Sequence, residues 1–338
     1  MNNYILCVRN KVSGEDNFGS GLGSASYLEV SDGAIVPRPS DKVGGVREWL
    51  DKIVKQAIPP ETAPGNELDI IFFVHGYNTD SEEALKRQRL VEKELRNRGF
   101  QCIVIGFDWP TAGSAALYAY DRFEAQNAAS LLVKGGIIPF ANYTRKDCPI
   151  NIHVMAHSMG GFIVREAFRA VDKGRNSDLA NDWRIGQVVL FAADLSSDCF
   201  ALNDTEMVPV FNHCGRLTNY FSGHDEALAV SNVKNIDISS RVGRVGMPID
   251  TPAHEKAVDV DSGPRYAAIP EAERKESLEK VVDGMVSHSW YLNDPIWYDD
   301  LAYTLKGQID RNSIPNRTRV GSNDFVLGVL QNSEKIPR

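Results

Sequence analysis

PINIHVMAHSMGGFIVREAFRA, residues 149–170, is the stretch around which the rest of the chain is arranged. Residues 150–155 form a short apolar run with the length and β-branching of a buried strand, and helical apolar spacing follows at once. Ser158 lies at this junction, within Ala-His-Ser-Met-Gly, which has the spacing of a nucleophile elbow. An elbow turn is too sharp for large side chains two residues to either side, and Ala156 and Gly160 are small. The stretch therefore predicts a nucleophilic serine between a strand and a helix; an ordinary helix-capping serine is the alternative.

A second apolar run, residues 68–74 (LDIIFFV), also has the character of a buried strand. It is followed by His75, Gly76, Tyr77 and Asn78. Glycine lets the backbone turn there, so the amide of Tyr77 can face a developing alkoxide. The amide of Met159, directly after the serine, is the second candidate donor. We therefore predict an oxyanion hole built from the backbone amides of Tyr77 and Met159.

These residues resemble the alpha/beta-hydrolase superfamily and, within it, a little-characterised bacterial branch of serine hydrolases. The motifs that carry the resemblance are VHGYN (74–78), FDWP (107–110), Tyr118 and Asp121, AHSMGG (156–161) and HSWY (288–291). The resemblance covers residues 68–307, is weak before them and is absent from the tail. It implies an α/β fold with a mostly parallel central sheet covered by helices on both faces.

A serine hydroxyl needs a base to take its proton and an acid to orient that base. In this superfamily the chain order is serine, then the acid, then histidine. The resemblance places the base at His288, which opens HSWY, and the acid at Asp225, after the strand predicted over residues 216–221. Asp194, which follows the preceding strand, is the alternative acid. His254 is the rival base.

Four of the other histidines are assigned to structure. His75 and His157 belong to the oxyanion and elbow motifs, His153 lies inside a strand as a core residue, and His224 is a loop residue. Polar and aromatic residues near the expected mouth are predicted to line the substrate pocket. This set is His75, Gly76, Asn78, Trp109 and Trp290, with Tyr77 and Tyr118 as further aromatic candidates.

The resemblance implies cleavage of carboxylic esters through an acyl-enzyme intermediate. A thioesterase, lactonase or amidase would use the same triad and differ only in pocket shape. A non-catalytic binding module on the same fold is a third hypothesis, and its mark would be a damaged triad, which the sequence does not show. The expected partner is a small ester, and the chemistry requires neither a metal nor an organic cofactor.

Composition restricts the alternatives. With 338 residues, of which 43% are hydrophobic, the chain can bury one large core, and we expect one elaborated domain. Asp plus Glu outnumber Lys plus Arg by 45 to 37, so no basic face for nucleic acid is expected. The opening MNNYILCVRN has one short apolar run without a preceding basic region, which favours neither a signal peptide nor a membrane span and makes the cytoplasm the expected location. Five cysteines without CxxC spacing argue against a disulfide framework and a zinc site.

Residues 1–67 are predicted to form an N-terminal section joined to the core. Short strands at 4–8 and 26–30 flank a glycine-rich stretch, 19–23, which is predicted to be the hairpin connection. A helix with apolar residues at helical spacing is expected over 42–56. This section should add an antiparallel edge to the sheet.

The core, residues 68–307, alternates predicted strands and helices, as in a parallel sheet. Further strands are expected at 102–107, 187–192 and 257–260, the last competing with 235–239 for the final core position, and helices at 81–98, 123–133 and 294–305. The insertion 262–287, with a charged helix at 270–281, is either a lid beside the pocket or a solvated excursion. Residues 308–338, with 325–330 as their apolar anchor, are predicted to be a partly ordered tail or an oligomer contact; the sequence leaves the oligomeric state open.

Overall fold

The computed structural model describes residues 2–59, 67–111, 118–143, 150–173, 183–229, 240–248, 255–274 and 285–328. Within them, the strands are β1 Asn3–Lys11, β2 Phe18–Val30, β3 Asp69–Val74, β4 Cys102–Asp108, β5 Ile152–His157, β6 Ile185–Phe191, β7 Cys214–Phe221, β8 Ala257–Asp261, β9 Arg317–Arg319 and β10 Asp324–Leu327. They form one sheet in the order β2-β1-β4-β3-β5-β6-β7-β8-β10-β9. The strands from β1 to β10 in that order run parallel, and β2 and β9 lie antiparallel at the two edges. The predicted mostly parallel sheet with an antiparallel N-terminal edge is confirmed.

The described helices are α1 Val46–Ala57, α2 Ser81–Asn97, α3 Tyr118–Leu132, α4 Ile138–Tyr143, α5 Met159–Lys173, α6 Val208–His213, α7 Val242–Val245, α8 Gly263–Ala268, α9 Val286–Ser289 and α10 Pro295–Lys306. A π-helical turn, Val133–Ile137, joins α3 to α4. Asp80 caps α2 by accepting a hydrogen bond from the amide of Glu83, and Asp294 caps α10 in the same way. None of the described helices combines the length and the apolar composition needed to cross a lipid bilayer.

Both faces of the sheet are buried, and β3 illustrates this. Ile70, Phe72 and Val74 pack with α1, α3 and α5 in one apolar cluster. Ile71 and Phe73 point the other way and pack with α2 and α10 in a second cluster. Because successive side chains of a strand alternate between faces, a strand covered on both sides must be apolar at every position. This explains why LDIIFFV reads as a continuous apolar run.

The N-terminal hairpin differs from the prediction. The stretch 19–23, expected as a connecting loop, lies inside β2 and opposite Asn10 of β1, while the turn lies at residues 12–17. A Cβ atom on Gly23 would be 2.7 Å from the Cα of Asn10, so glycine permits the close approach of the strands where their pairing register shifts. Helix α1 begins at Val46 and not at 42, after Gly44 and Gly45.

The C-terminal part of the chain also differs from the prediction. Residues 317–327, expected in a tail, form β9 and β10, and β10 pairs in parallel with β8. The predicted strand 257–260 exists as β8, but it is not the last parallel strand. Arg317 fixes the added strands because its buried guanidinium binds Asp300 of α10 through Nε to Oδ2 at 2.8 Å and Nη2 to Oδ1 at 2.6 Å. A strand this short has no periodicity that the sequence can reveal.

The remaining boundaries agree with the prediction more closely. The strands expected at 68–74, 102–107, 187–192 and 216–221 are found within two residues of their predicted ends, as are the helices at 81–98 and 294–305. The helix expected at 123–133 begins earlier, at Tyr118. The competing strand 235–239, His254 and residues 275–281 of the charged helix lie outside the described residues.

Candidate active site

Ser158 occupies a strained turn between β5 and α5. Its φ angle is 54°, in the left-handed region that costs a residue with a side chain about 1–3 kcal/mol. The turn is held by hydrogen bonds from the amide of Ser158 to Phe191 O at 3.3 Å and from the amides of Gly161 and Asp194 to Ser158 O, both at 3.0 Å. A backbone conformation maintained in this way is the geometry of a nucleophile elbow.

The glycines after the serine let α5 start against the sheet. A Cβ atom on Gly160 would lie 2.4 Å from the carbonyl oxygen of Val74, at the end of β3. A Cβ atom on Gly161 would lie 3.1 Å from the Cβ of Ala193. Only glycine fits at position 160. The pair Gly160-Gly161 therefore permits α5 to pack against the sheet as closely as a nucleophile elbow requires.

The loop after β3 passes directly over the serine. A Cβ atom on Gly76 would be 2.8 Å from the Cβ of Ser158 and 3.0 Å from Nδ1 of His157. Met159 is the first residue of α5, and the amides of a first helical turn have no intrahelical acceptor. Gly76 therefore lies against Ser158. The two candidate oxyanion donors are the amides of Tyr77 and Met159, the residues that directly follow these two in the chain.

The buried side chain of His75 sets the direction of one of these amides. Its Nδ1 lies 2.9 Å from Gly76 O and donates to it, while its Nε2 accepts from the amide of Trp109 at 3.3 Å. Burial lowers the pKa of His75, although Asp108 opposes the shift, so the ring is neutral with its proton on Nδ1. The carbonyl of Gly76 and the N–H of Tyr77 are opposite ends of one trans peptide unit. The hydrogen bond from His75 therefore fixes the orientation of the Tyr77 amide.

A buried ion pair supports this loop from below. Arg9 of β1 binds Asp108 Oδ1 through Nε at 2.6 Å and donates from Nη2 to Thr79 O at 2.9 Å. Ser81 Oγ donates to the other oxygen of Asp108 at 2.7 Å. Burial disfavours the Asp108 carboxylate, but the charge of Arg9 and the hydrogen bond from Ser81 oppose burial, and the pKa of Asp108 lies well below its usual range.

Sequence reasoning missed Arg9 and the role of Asp108. The available signal was a charged residue in the otherwise apolar strand YILCVRN. Its meaning depends on the neighbour relation between β1 and β4, which pairs Cys7 with Asp108 and is not visible in the sequence.

The structure brings Asp225 and His288 into contact across 63 residues of chain. His288 Nδ1 lies 2.7 Å from Asp225 Oδ2, and the other oxygen of Asp225 accepts from the amide of Leu228 at 2.9 Å. Asp225 is fully buried. A bond between Ser287 Oγ and the amide of Glu226, 3.2 Å long, holds the two segments together. A buried carboxylate at this distance orients an imidazole and stabilises its protonated form.

The alternative acid, Asp194, has a different neighbour. Its Oδ1 lies 3.2 Å from Nε of Arg241, and both side chains are almost completely buried. Its own amide binds Ser158 O, so its backbone takes part in the elbow. The carboxylate in contact with His288 is that of Asp225.

Three further histidines are placed as follows. His153 is buried in β5 with Nε2 3.4 Å from Asp69 Oδ2, a core position as predicted. His224 is exposed in the loop after β7, also as predicted, with its ring 5.4 Å from that of Tyr266. His157 is buried with Nε2 3.2 Å from the carbonyl oxygen of His288, and the centres of these two rings are 4.7 Å apart.

Three of the side chains predicted to line the pocket are buried, namely those of His75, Trp109 and Trp290. Trp109 is fully buried, stacks on His75 at 5.6 Å and donates from its indole nitrogen to His75 O at 3.0 Å. Trp290 is 3% exposed and stacks on Tyr291 at 4.4 Å. Both indoles therefore support the site from inside the core. The sequence does not reveal this, because an aromatic residue at a strand end can face either the core or the pocket. Asn78 is exposed, with a left-handed φ of 53°.

A groove of about 490 Å³ is lined by residues adjacent in the chain to Asp225 and His288, namely His224, Glu226 and Ser287. The insertion 262–287 also contributes Tyr266, Glu271 and Arg274 to its lining. The insertion thus lies next to the candidate site, and its interpretation as a lid stays a prediction.

No metal cluster and no disulfide are seen among the described residues. They contain no group of three or more His, Cys, Asp or Glu suited to hold a metal ion. Cys7, Cys102, Cys199 and Cys214 form no disulfide and are buried. Burial raises the pKa of the Cys214 thiol to about 11, which disfavours its use as a nucleophile.

Comparison with solved structures gives distant similarities. Lipase B from Aspergillus fumigatus is 12% identical, with 88% of this chain and 67% of that chain covered and a TM-score of 0.39. A hyperthermophilic esterase from the archaeon Pyrobaculum calidifontis is 11% identical, with 88% of this chain and 87% of that chain covered and a TM-score of 0.37.

Searches by sequence give a clearer result. No curated protein matches the chain. A family model described as "Alpha/beta hydrolase of unknown function (DUF900)" matches residues 56–270, which is more than half of the 338 residues. With the sheet, the elbow and the oriented histidine already in place, this match identifies the chain as a member of that alpha/beta-hydrolase family.

Proposed function

We propose that this protein is a serine hydrolase that cleaves carboxylic esters, with Ser158 as nucleophile, His288 as base and Asp225 as the acid that orients it. The observation that carries the proposal is the 2.7 Å contact between His288 Nδ1 and Asp225 Oδ2, together with the left-handed φ of 54° at Ser158. His157 supports their proximity, because it is bonded to Ser158 in the chain and its Nε2 contacts the backbone of His288. The proton transfer from Ser158 to His288 is the step that the proposal adds.

The reaction follows from these positions. Nε2 of His288 takes the hydroxyl proton as Ser158 Oγ attacks the ester carbonyl, and Asp225 stabilises the resulting imidazolium. The alkoxide that develops on the carbonyl oxygen accepts hydrogen bonds from the amides of Tyr77 and Met159. The alcohol leaves with the proton from His288, and an acyl-Ser158 ester remains. Water, deprotonated by the same histidine, then releases the carboxylic acid and restores the serine.

The oxyanion hole has the strongest support from backbone geometry. Gly76 is in contact with Ser158, and the hydrogen bond from His75 fixes the peptide unit that carries the Tyr77 amide. Preorganised donors of this kind need no rearrangement when charge develops, and losing one costs roughly 10²–10³-fold in kcat. The buried ring of His75 gives the turn at Gly76 the rigid support that the Tyr77 amide requires as such a donor.

Labelling with a fluorophosphonate probe tests the nucleophile. We expect the wild-type protein to be labelled on the peptide that contains Ser158, as read by mass spectrometry, and Ser158→Ala to lose the label. Ser130→Ala is the matched control, because this serine lies in α3 with its hydroxyl bonded to Asn127 O. Absence of labelling in the folded wild-type protein would contradict the proposal and favour a non-catalytic binding module.

A substrate panel tests the type of bond. Nitrophenyl esters of increasing acyl length should be hydrolysed, and the chain length with the highest kcat/KM reports the depth of the pocket. Matched thioesters, lactones and anilides of the same acyl group use the same triad. A kcat/KM for one of these above that of the best ester would replace the esterase assignment with that activity.

A further inference from the structure

His157 has contacts that its position in the elbow motif does not explain. Its Nε2 lies 3.2 Å from the carbonyl oxygen of His288, and its ring centre lies 4.7 Å from that of His288 at an angle of 46°. On its other side, a Cβ atom on Gly76 would be 3.0 Å from its Nδ1. One buried imidazole therefore touches the oxyanion loop and the base, and it precedes the nucleophile in the chain.

The hydrogen bond determines the tautomer of His157. A carbonyl oxygen only accepts, so Nε2 carries the proton. Nδ1 has no hydrogen-bond partner among the described residues, so a second proton there would leave a buried N–H facing Gly76. Burial above all, and then the charges of a protonated His288 and of Arg87, lower the pKa of His157 well below its usual value, although the hydrogen bond to the His288 carbonyl opposes the shift.

The carbonyl of His288 is bonded from outside its own helical segment. His288 lies in α9, a single turn over Val286–Ser289 that passes directly into a 3-10 turn over Trp290–Asn293. His157, from the junction of β5 and α5, donates to the carbonyl oxygen of His288. The base is thereby held at two points, through its main chain by His157 and through Nδ1 by Asp225.

We propose that His157 is a positioning residue for His288, a neutral Nε2–H donor that fixes the backbone of the base relative to the adjacent Ser158 and exchanges no proton during turnover. This inference rests on the proposed function, because it gives His288 the role of base. Two fixed points, the main chain and Nδ1, determine the direction in which Nε2 of His288 faces. A neutral neighbour is also required, since a cation 4.7 Å away would oppose the imidazolium that forms in the reaction.

Three substitutions at this position separate the hydrogen bond from the shape of the ring. The amide nitrogen of His157→Gln reaches the place of Nε2 and keeps the donor, that of His157→Asn reaches only the place of Nδ1, and His157→Leu has no donor. We expect the Asn and Leu variants to lose about 10²-fold in kcat on a nitrophenyl ester with little change in KM, as for a misplacement of about 1 Å. The Gln variant should recover most of that loss, and the acid side of its pH–rate profile should coincide with that of the wild type.

Other results overturn the proposal. Equal impairment of all three variants, or wild-type rates in all three, would show that the donor does not position the base. Loss of activity in His157→Gln as complete as in Ser158→Ala would show that His157 exchanges a proton. Thermal melting of each variant shows whether the protein is folded when the rate is measured.

A spectroscopic measurement keeps the inference separate from the proposed function. If the wild-type protein hydrolyses no ester and binds no fluorophosphonate, the proposed function fails, and the state of His157 is still measurable. Nitrogen-15 spectra of the histidine rings should show His157 as the neutral Nε2–H tautomer throughout about pH 5 to 8, where an ordinary histidine titrates. Titration of its ring within that range would overturn the inference.

Discussion

Replacing either candidate acid by its amide distinguishes their roles, and Asp225→Asn is the informative change. Both oxygens of Asp225 accept hydrogen bonds, from His288 Nδ1 at 2.7 Å and from the amide of Leu228 at 2.9 Å. An asparagine has one acceptor, so its NH₂ group must face one of these two donors. If it faces His288, that ring must take the tautomer with its proton on Nε2, which cannot receive the proton of Ser158.

The expected magnitudes differ for the two acids. The wrong tautomer costs about 10⁴-fold in kcat, while the free energy of unfolding falls by about 1 kcal/mol for the lost hydrogen bond. Asp194→Asn instead removes a carboxylate 3.2 Å from the buried guanidinium of Arg241. Breaking a buried pair costs about 3–5 kcal/mol, and we expect the lower end because Arg241 has further interactions. The folded Asp194→Asn protein should keep a kcat close to that of the wild type.

Two measurements on each variant check this separation. Hydrolysis of a nitrophenyl ester gives kcat for the folded protein, and urea unfolding gives the free energy of unfolding. Asp225→Asn should mainly lower kcat, and Asp194→Asn should mainly lower the free energy of unfolding. A lower kcat for Asp194→Asn than for Asp225→Asn would refute the assignment of the acid.

Three further changes test other parts of the structure. Gly76→Ala places a methyl 2.8 Å from the Cβ of Ser158 and should lower kcat about 10²–10³-fold by displacing the oxyanion loop; an unchanged ester hydrolysis rate contradicts this. Burial raises the pKa of Asp259 to about 7, so the folded protein keeps a proton that the unfolded chain releases above about pH 4. Stability should therefore fall as pH rises from about 4 to 7, by up to about 1.4 kcal/mol per unit, and urea unfolding of Asp259→Asn should lack this slope; parallel curves would disprove it. Asp300→Ala removes the carboxylate 2.6 Å from the buried Arg317 and should cost about 3–5 kcal/mol in urea unfolding, whereas a loss below about 1 kcal/mol would show that this pair does not hold β9.

Those parts of the fold that depend on local pattern could be predicted from the sequence. LDIIFFV is apolar at every position because both of its faces are covered, and the short apolar run before Ser158 passes directly into helical spacing. The glycine-rich residues 19–23 predicted a turn, whereas in the structure they permit the close approach of two strands. β9 and β10 were missed because they owe their place to the buried pair of Arg317 with Asp300, a contact that no local pattern reveals.

The candidate site divides in the same way. Ser158 follows from a local motif, and His288 and Asp225 follow from chain order within the resemblance; the structure places the last two in contact. Arg9 could not be predicted, because its partner Asp108 is 99 residues away and is reached only through the pairing of β1 with β4. The burial of Trp109 and Trp290 could not be predicted, because the sequence does not distinguish a tryptophan packed in the core from one that lines a pocket.

The direction of the outer strands has a practical consequence for attaching the protein to a solid support. β1 runs parallel to β4, so Asn3 starts at the rim of the sheet opposite to the one where Asp108 and the oxyanion loop lie. β10 is also parallel to its neighbour β8, so Leu327 lies at the same rim as the candidate active site. A tether joined ahead of β1 would leave that rim facing the solution, whereas a tether joined after β10 would turn it toward the support.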